Sequence, residues 1–460
     1  MALAHETNLP ARGLRGDLIE SDHPDYETAR RIFNAMIDRR PKAIVRPIDD
    51  RDVITAVRFA GEQGMLLSVR GGGHGVAGFA MNDGGLVLDL SRMKGISFDP
   101  EKRTVRAQGG CTWSDVDSAT HPFGMHAAGG VVSTTGIAGL ALGGGLGHLT
   151  RRAGLTCDNL LSAGVVTADG QLVMASEKEN ADLFWALRGG GGNFGVVTSF
   201  EFRLHPIRTV YAGPVLWPPD QAVEAMRFYR EFMKEAPQEL NALFAFIVVP
   251  PEPPFPQHLH NRPMSGVVIC YSGDPQKGPE VTKSLRTFGP PALDATGQLP
   301  FPMLQKAFDA VSPPGLQNYW KTDFFSELND DAIEAHTAFG KDVPNIFSGS
   351  IIFPIDGAAH NARNEDTAWG FRDANFSNVI YAAYEDPAKT PEMIQWVRDY
   401  WAAVHPHSTG GTYVNFAMDE GEEHVNACYG RNLTRLAKIK GLYDPGNLFR
   451  MNQNIKPGRP

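Results

Sequence analysis

Val69-Arg70-Gly71-Gly72-Gly73-His74-Gly75-Val76-Ala77-Gly78 follows directly on an apolar run, residues 65–69, that reads as a β-strand. Within it, Gly73 to Gly78 matches G-x-G-x-x-G, the pattern of a dinucleotide-binding strand–turn–helix. That pattern needs a helix to open at its third glycine, because the helix N-terminus receives the diphosphate. Here Asn82-Asp83-Gly84-Gly85 follows almost at once, and residues 86–90 then read as a second strand. No helix starts, so the Rossmann reading is rejected. A glycine loop between two strands can still grip a diphosphate, because successive N–H groups free of Cβ atoms form an anion-binding nest. Arg70 adds a positive charge beside it.

Outward from this loop, residues 51–63 read as a helix, with Val53, Ile54, Val57 and Ala60 at helical spacing. Further glycine runs follow at 129–130, 143–147 and 189–192, all within the first 200 residues. The 460-residue chain holds 49 glycines, where average usage would give about 32. Their clustering suggests that several backbone segments approach one large ligand closely.

From about residue 210 the character changes to proline, with five between Pro250 and Pro256, which places a domain boundary near Pro206. Residues 243–249, 266–270 and 378–385 read as strands, and residues 279–288 and 391–405 as helices. Near the end, residues 420–440 read as helical and Tyr443-Asp444-Pro445-Gly446 as a turn. The fold class is α+β.

Composition excludes other classes. At 42% hydrophobic and 21% charged residues the chain is globular, and a net charge of −9 without a basic stripe argues against nucleic acid. No apolar run reaches the ~18 residues that span a bilayer. The N-terminus shows Arg12 and Arg15 but no apolar signal segment. Cys111, Cys157, Cys270 and Cys428 form neither a disulfide framework nor a metal spacing, and His121, His126, His405 and His407 suggest no metal either. A cytoplasmic protein is expected.

The loop Val69 to Gly75 resembles the flavin-attachment loop of the berberine-bridge-enzyme-like oxidases, in the vanillyl-alcohol-oxidase (PCMH-type) flavoprotein superfamily. Three further stretches resemble that family in order: Gly136-Ile137-Ala138-Gly139 through Gly143–Gly147, then Asp182-Leu183-Phe184-Trp185-Ala186-Leu187-Arg188-Gly189 through Gly195, and Asp444-Pro445-Gly446-Asn447-Leu448-Phe449-Arg450. The resemblance implies a PCMH-type FAD-binding domain of two α/β subdomains in residues 1–206. It implies a substrate domain, an antiparallel sheet covered by helices, in residues 207–412. Residues 413–460 would return to the FAD domain.

The resemblance also implies cofactor-binding roles for Arg70, Gly71, Gly72, Gly73, His74, Gly75, Thr134, Gly136, Gly139, Gly144, Val197, Tyr413, Asn415 and Asn452. In the family the loop histidine is bonded to the 8α carbon of the flavin, which makes His74 the linking residue. Doubly linked members carry a cysteine where this chain has Gly136. Cys157 lies after the glycine run, out of that register, and reads as a buried structural thiol, so a single histidyl linkage is expected.

Tyr413-Val414-Asn415-Phe416 resembles the family's Tyr-x-Asn-Tyr strand, whose last tyrosine accepts the substrate proton in several relatives. Phe416 cannot take a proton. Tyr381 and Tyr429 are the replacement candidates, with Tyr319, Trp320, Lys321 and His148 behind them. In the strand over residues 378–385, Tyr381 and Glu385 are expected on one face and Tyr384 on the other. The implied activity is an FAD-dependent oxidase for a small alcohol, amine, phenolic or polyketide-like substrate, with O2 as acceptor and H2O2 as product. A carbohydrate oxidase, a flavin dehydrogenase with another acceptor, and a non-catalytic flavin-binding protein are the competing readings.

Overall fold

A computed structural model describes Leu9 and residues 13–459. Leu67–Arg70, Leu86–Asp89 and Ala43–Arg46 run parallel, with Asp17–Glu20 added antiparallel at the outer edge. Parallel neighbours need a crossover of roughly a dozen residues or more, usually helical. Between Leu67–Arg70 and Leu86–Asp89 that crossover is the glycine loop itself, which contains no helix. The expected helix spans Asp50–Glu62, capped by the Asp49 carboxylate on the N–H groups of Arg51 and Asp52. It buries Val53, Ala56, Val57 and Ala60 against the sheet.

A second, antiparallel sheet carries Val196–Arg203 at its centre, flanked by Thr104–Gln108 and Leu160–Val166, with Ile96–Asp99 and Leu172–Ser176 outermost. The third sheet has eight strands, and Leu240–Val248, Pro263–Tyr271, Gly349–Pro354, Phe376–Tyr384 and Gln317–Phe325 form its larger part. Its strands alternate between two buried faces. Phe244, Phe246, Ile352 and Ile380 pack beneath the helices Ala222–Glu235, Asp330–Gly340 and Thr390–Val404. Leu243, Ala245, Ile351, Phe353 and Val379 face the other way, onto Leu146, Leu155 and Tyr413. No helix among the described residues is long and apolar enough to cross a membrane.

Three sequence expectations need correction. Residues 420–440 are two helices, Glu422–Tyr429 and Leu433–Tyr443, because Gly430 adopts a φ of 48° and turns the chain. Residues 279–288 are likewise two short turns of helix, Gly278–Val281 and Lys283–Thr287, parted at Thr282. Tyr413 to Phe416 is a turn, closed by the Phe416 N–H on the Tyr413 carbonyl at 2.9 Å.

The motif Asp444 to Arg450 acts as a lock. Lys440 and Asp444 are both fully buried and paired at 2.5 Å. Asp444 also accepts from the N–H groups of Leu448 and Phe449, and Lys440 donates to the carbonyls of Asn193 and Phe449. The C-terminal segment is thereby tied to the glycine run at 189–195. Burial lowers the Lys440 pKa, and the carboxylate opposes that shift.

Candidate active site

Where the strand Leu67–Arg70 ends, Gly73 takes a φ of 66°, and a Cβ there would lie 3.0 Å from the Arg70 guanidinium. Glycine is required at that bend. The next residue, His74, turns inward with its imidazole stacked on Phe33. Its Nε2 is buried and has no hydrogen-bond partner. Burial lowers its pKa to about 4, so the ring is neutral at physiological pH.

Behind the loop, Gly72 and Gly136 meet backbone to backbone. A Cβ on Gly136 would lie 2.3 Å from the Gly72 nitrogen, so this backbone leaves no room there for a cysteine side chain. At Gly75 and Gly139, which also line the cavity, a Cβ would meet nothing within 4 Å. These glycines wall one cavity of about 2130 Å³ of atom-free space, counting its open mouth. The same cavity is lined further along by Trp320, Tyr381 and Phe416.

FAD fits these residues. The neutral imidazole of His74 is part of the wall, and glycine backbone lies open where side chains would otherwise intrude. Among the described wall residues there is no Asp, Glu, Lys, Arg or Cys, so the diphosphate would be held by backbone N–H groups.

Most expected cofactor residues reach the wall: Gly71, Gly72, Gly73, His74, Gly75, Gly136, Gly139, Val197, Tyr413, Asn415 and Asn452. Arg70, Thr134 and Gly144 do not. The Arg70 guanidinium turns outward to the Ala29 carbonyl at 2.7 Å and towards Asp89, bracing the loop from behind. Thr135 takes the wall position beside Thr134, and Gly144 backs onto Trp369. The Tyr413 oxygen accepts from the N–H groups of Gly145 and Leu146 and from the Asn415 amide, so that turn anchors the glycine run.

At the other end of the cavity the wall is aromatic. Trp320 and Tyr381 are direct cross-strand partners with ring centroids 5.9 Å apart. Phe416 packs against Trp320 at 5.8 Å and Phe353 at 5.6 Å. The Tyr381 hydroxyl has no hydrogen-bond partner among the described residues, and burial raises its pKa.

Tyr429 is different: its hydroxyl donates to the Gln453 carbonyl and accepts from Asn193, which occupies it structurally. Tyr319 and Lys321 point to the opposite face of their strand and meet Glu420, and Tyr384 bonds Thr390. Glu385 lies exposed beyond the end of the strand Phe376–Tyr384, so it shares no face with Tyr381. His148 is buried off the wall against Phe301 and Phe308. His121 and His126 bond each other, His126 also bonds Asp117, and His405 pairs with Asp323. Phe33, Phe308 and Phe353 line the cavity and were not singled out by the sequence reading.

Cys157 is fully buried and off the cavity wall. Burial, and the Asp158 carboxylate beside it, push its thiol pKa up. That carboxylate is clasped by Arg372 at 2.6 and 2.8 Å. Cys157→Ser should leave the flavin content and visible spectrum unchanged, at roughly 1–3 kcal/mol of stability. Loss of bound flavin in that variant would count against a purely structural thiol.

Comparison with known proteins gives the same picture. Residues 41–176 match the FAD binding domain family model, and residues 412–456 match the model described as berberine and berberine like. An FAD-linked oxidoreductase of Dictyostelium discoideum is 31% identical over 451 residues, covering 96% of this chain and 95% of that protein. The crystal structure of 6-hydroxy-D-nicotine oxidase from Arthrobacter nicotinovorans superposes with a TM-score of 0.84 at 27% identity, covering 97% of this chain and 98% of that one. Glucooligosaccharide oxidase from Acremonium strictum, whose FAD is 6-S-cysteinyl and 8α-N1-histidyl, shares the fold with a TM-score of 0.86 at 24% identity, covering 98% of this chain and 99% of that one. The chain belongs to the berberine-bridge-enzyme-like family of FAD-linked oxidoreductases.

Proposed function

We propose that the protein is an oxidase that removes hydride from a small, flat, uncharged aromatic amine, with FAD bonded to His74 alone and dioxygen as final acceptor. The observation that carries this reading is the neutrality of the wall. Its titratable groups are His74, held neutral by burial, and Tyr381, Tyr413 and Tyr429, whose pKa values burial raises above the ordinary phenol range. Bound FAD would supply the hydride acceptor. Trp320, Tyr381, Phe353 and Phe416 would hold the substrate's ring face and exclude water.

No residue on this wall is ionised to draw off a proton, and Phe416 stands where several relatives have a phenol. A neutral amine needs no such base, because its nitrogen lone pair assists departure of hydride from the adjacent carbon. The Tyr381 hydroxyl is free to donate a hydrogen bond to the substrate's heteroatom. A sugar, by contrast, brings many hydroxyls that each need a partner once buried. Near the aromatic cluster, Asn318 is already committed to Leu316 and Trp320.

Two measurements test this reading. Between about pH 5 and 9 no wall group should titrate, so the rate of flavin reduction by an amine should rise with pH to the amine's own pKa and then level off. A fall on the alkaline side would reveal an ionising wall group. Tyr381→Phe should keep its flavin and slow that reduction by roughly three- to tenfold, the worth of one neutral hydrogen bond. An unchanged rate would remove Tyr381 from the site.

A further inference from the structure

The indole of Trp320 lies on the cavity wall between Tyr381, its direct cross-strand partner, and Phe416, with ring centroids 5.9 and 5.8 Å away. An indole carries one polar atom, the Nε1–H, which can only donate. Here it donates to Asn318 Oδ1 at 3.1 Å. Asn318 precedes Trp320 by two residues and so stands on the same face of the strand Gln317–Phe325. Its amide has one possible orientation, since Nδ2 meets the Leu316 carbonyl at 2.9 Å and a carbonyl can only accept. The amide oxygen is thereby turned to the indole.

Asn318 is itself held from behind. It is buried, its N–H donates to Asn34 Oδ1 and its carbonyl accepts from Asn34 Nδ2, both at 2.9 Å. Asn34 is fully buried and also donates to the Val76 carbonyl at 2.8 Å, in the loop that follows His74. Leu316 and Gly315 are fixed in turn by Ala35 and Phe33, through backbone hydrogen bonds of 2.9 and 3.0 Å. The one hydrogen-bond donor of the Trp320 side chain is therefore spent on a fixed partner within the wall.

A partner supplied within the protein decides what a substrate meets. An unpaired Nε1–H would attract a carbonyl or hydroxyl oxygen, whereas a paired one leaves an apolar surface on which such oxygens lose their water without compensation. We propose that Asn318 is a specificity-determining positioning residue: by occupying the Trp320 N–H it makes the indole a purely apolar wall and turns the site away from oxygen-bearing aromatic substrates. The proposal rests on the reading above that the aromatic end of the cavity holds the substrate. Asn318 acts through Trp320 and contributes no group to the reaction. It lines the same cavity, so the space that its amide would vacate on truncation opens the N–H to a bound molecule. The Leu316 carbonyl would keep the Ala35 N–H, and the backbone pairing with Asn34 would be untouched, so Asn318→Ala should fold.

The test uses full-length holoprotein and two flat probes of one shape, acetophenone and α-methylstyrene, which differ in a carbonyl oxygen against a methylene group. Dissociation constants are read from the perturbation of the flavin's visible spectrum. In Asn318→Ala the preference for the ketone over the hydrocarbon should rise by roughly three- to tenfold, the worth of one neutral hydrogen bond. Adding Trp320→Phe should cancel that rise. A merely structural role would weaken both probes alike and leave the preference unchanged, and that result would overturn the proposal. So would a rise that survives Trp320→Phe, since another donor would then be responsible. Ultraviolet resonance Raman spectra give a check without any change at Asn318. The indole band that reports hydrogen bonding, taken as the difference between the unaltered protein and Trp320→Phe, should show a bonded N–H, and a free N–H would overturn the proposal. The underlying reading fails in a separate way. If neither probe binds, or if Trp320→Phe binds both as the unaltered protein does, the substrate does not lie at the aromatic end, and the proposal falls with that reading.

Discussion

Precipitated with acid, the His74→Ala protein should leave all of its flavin in the supernatant, whereas the unaltered protein should carry its flavin into the pellet. The expected change is from complete to zero covalent occupancy. His74 is the one histidine among the described wall residues, and burial keeps its imidazole neutral. The described wall offers no cysteine, and its three tyrosines are kept protonated by burial. Gly136, which the resemblance places at the second linking position, has no room for a side chain. Loss of the bond should not empty the site, because the glycine backbone that would cradle the diphosphate is untouched by the substitution. Non-covalent FAD should therefore still bind, with fluorescence titration reporting its affinity. Acid-stable flavin in His74→Ala would show that another residue forms the bond.

Removing the carboxylate of Asp444 should be the most damaging single change to stability. Lys440 and Asp444 are both wholly inaccessible to solvent, and their pairing is the condition on which the ammonium stays buried. Breaking such a pair costs roughly 3–5 kcal/mol, because one charge is left without a partner. Asp444→Ala also strands the N–H groups of Leu448 and Phe449. Urea unfolding should show a large drop in midpoint for Asp444→Ala, partly recovered when Lys440→Met is added. Equal stability of the single variant and the unaltered chain would mean that the ammonium finds other partners or water.

The sequence carried most of this arrangement where it depended on backbone. The loop from Gly71 to Gly75 is readable because only glycine permits its turns and its approach to Gly136, and the absence of a helix after Gly78 follows from the next glycine pair. Tyr381 is legible as a candidate, but of Tyr319, Trp320 and Lys321 only Trp320 reaches the wall, because strand alternation separates two faces without saying which one meets the cavity. What failed depended on tertiary contact. Arg70 looks like a phosphate ligand beside a glycine nest, but the Ala29 carbonyl and Asp89 draw its guanidinium to the other side of the loop. Tyr413 to Phe416 is expected to be a strand only from the resemblance, but it is a turn, closed by the Phe416 N–H and held in place where the Tyr413 hydroxyl accepts from Gly145 and Leu146. Phe33 left no local signal. It lies in an unremarkable apolar segment and reaches His74 only because residues 33–35 pair with residues 315–318.

The proposed oxidation is tested most directly by mixing the holoprotein, without oxygen, with a neutral aromatic amine, a neutral aromatic alcohol and an oligosaccharide in turn, and following the flavin's visible absorbance. The neutral, aromatic wall leads us to expect bleaching by the amine, no bleaching by the alcohol or the oligosaccharide, and recovery of colour on admitting air with one hydrogen peroxide per flavin. Bleaching by the oligosaccharide alone, or recovery of colour without peroxide, would contradict it.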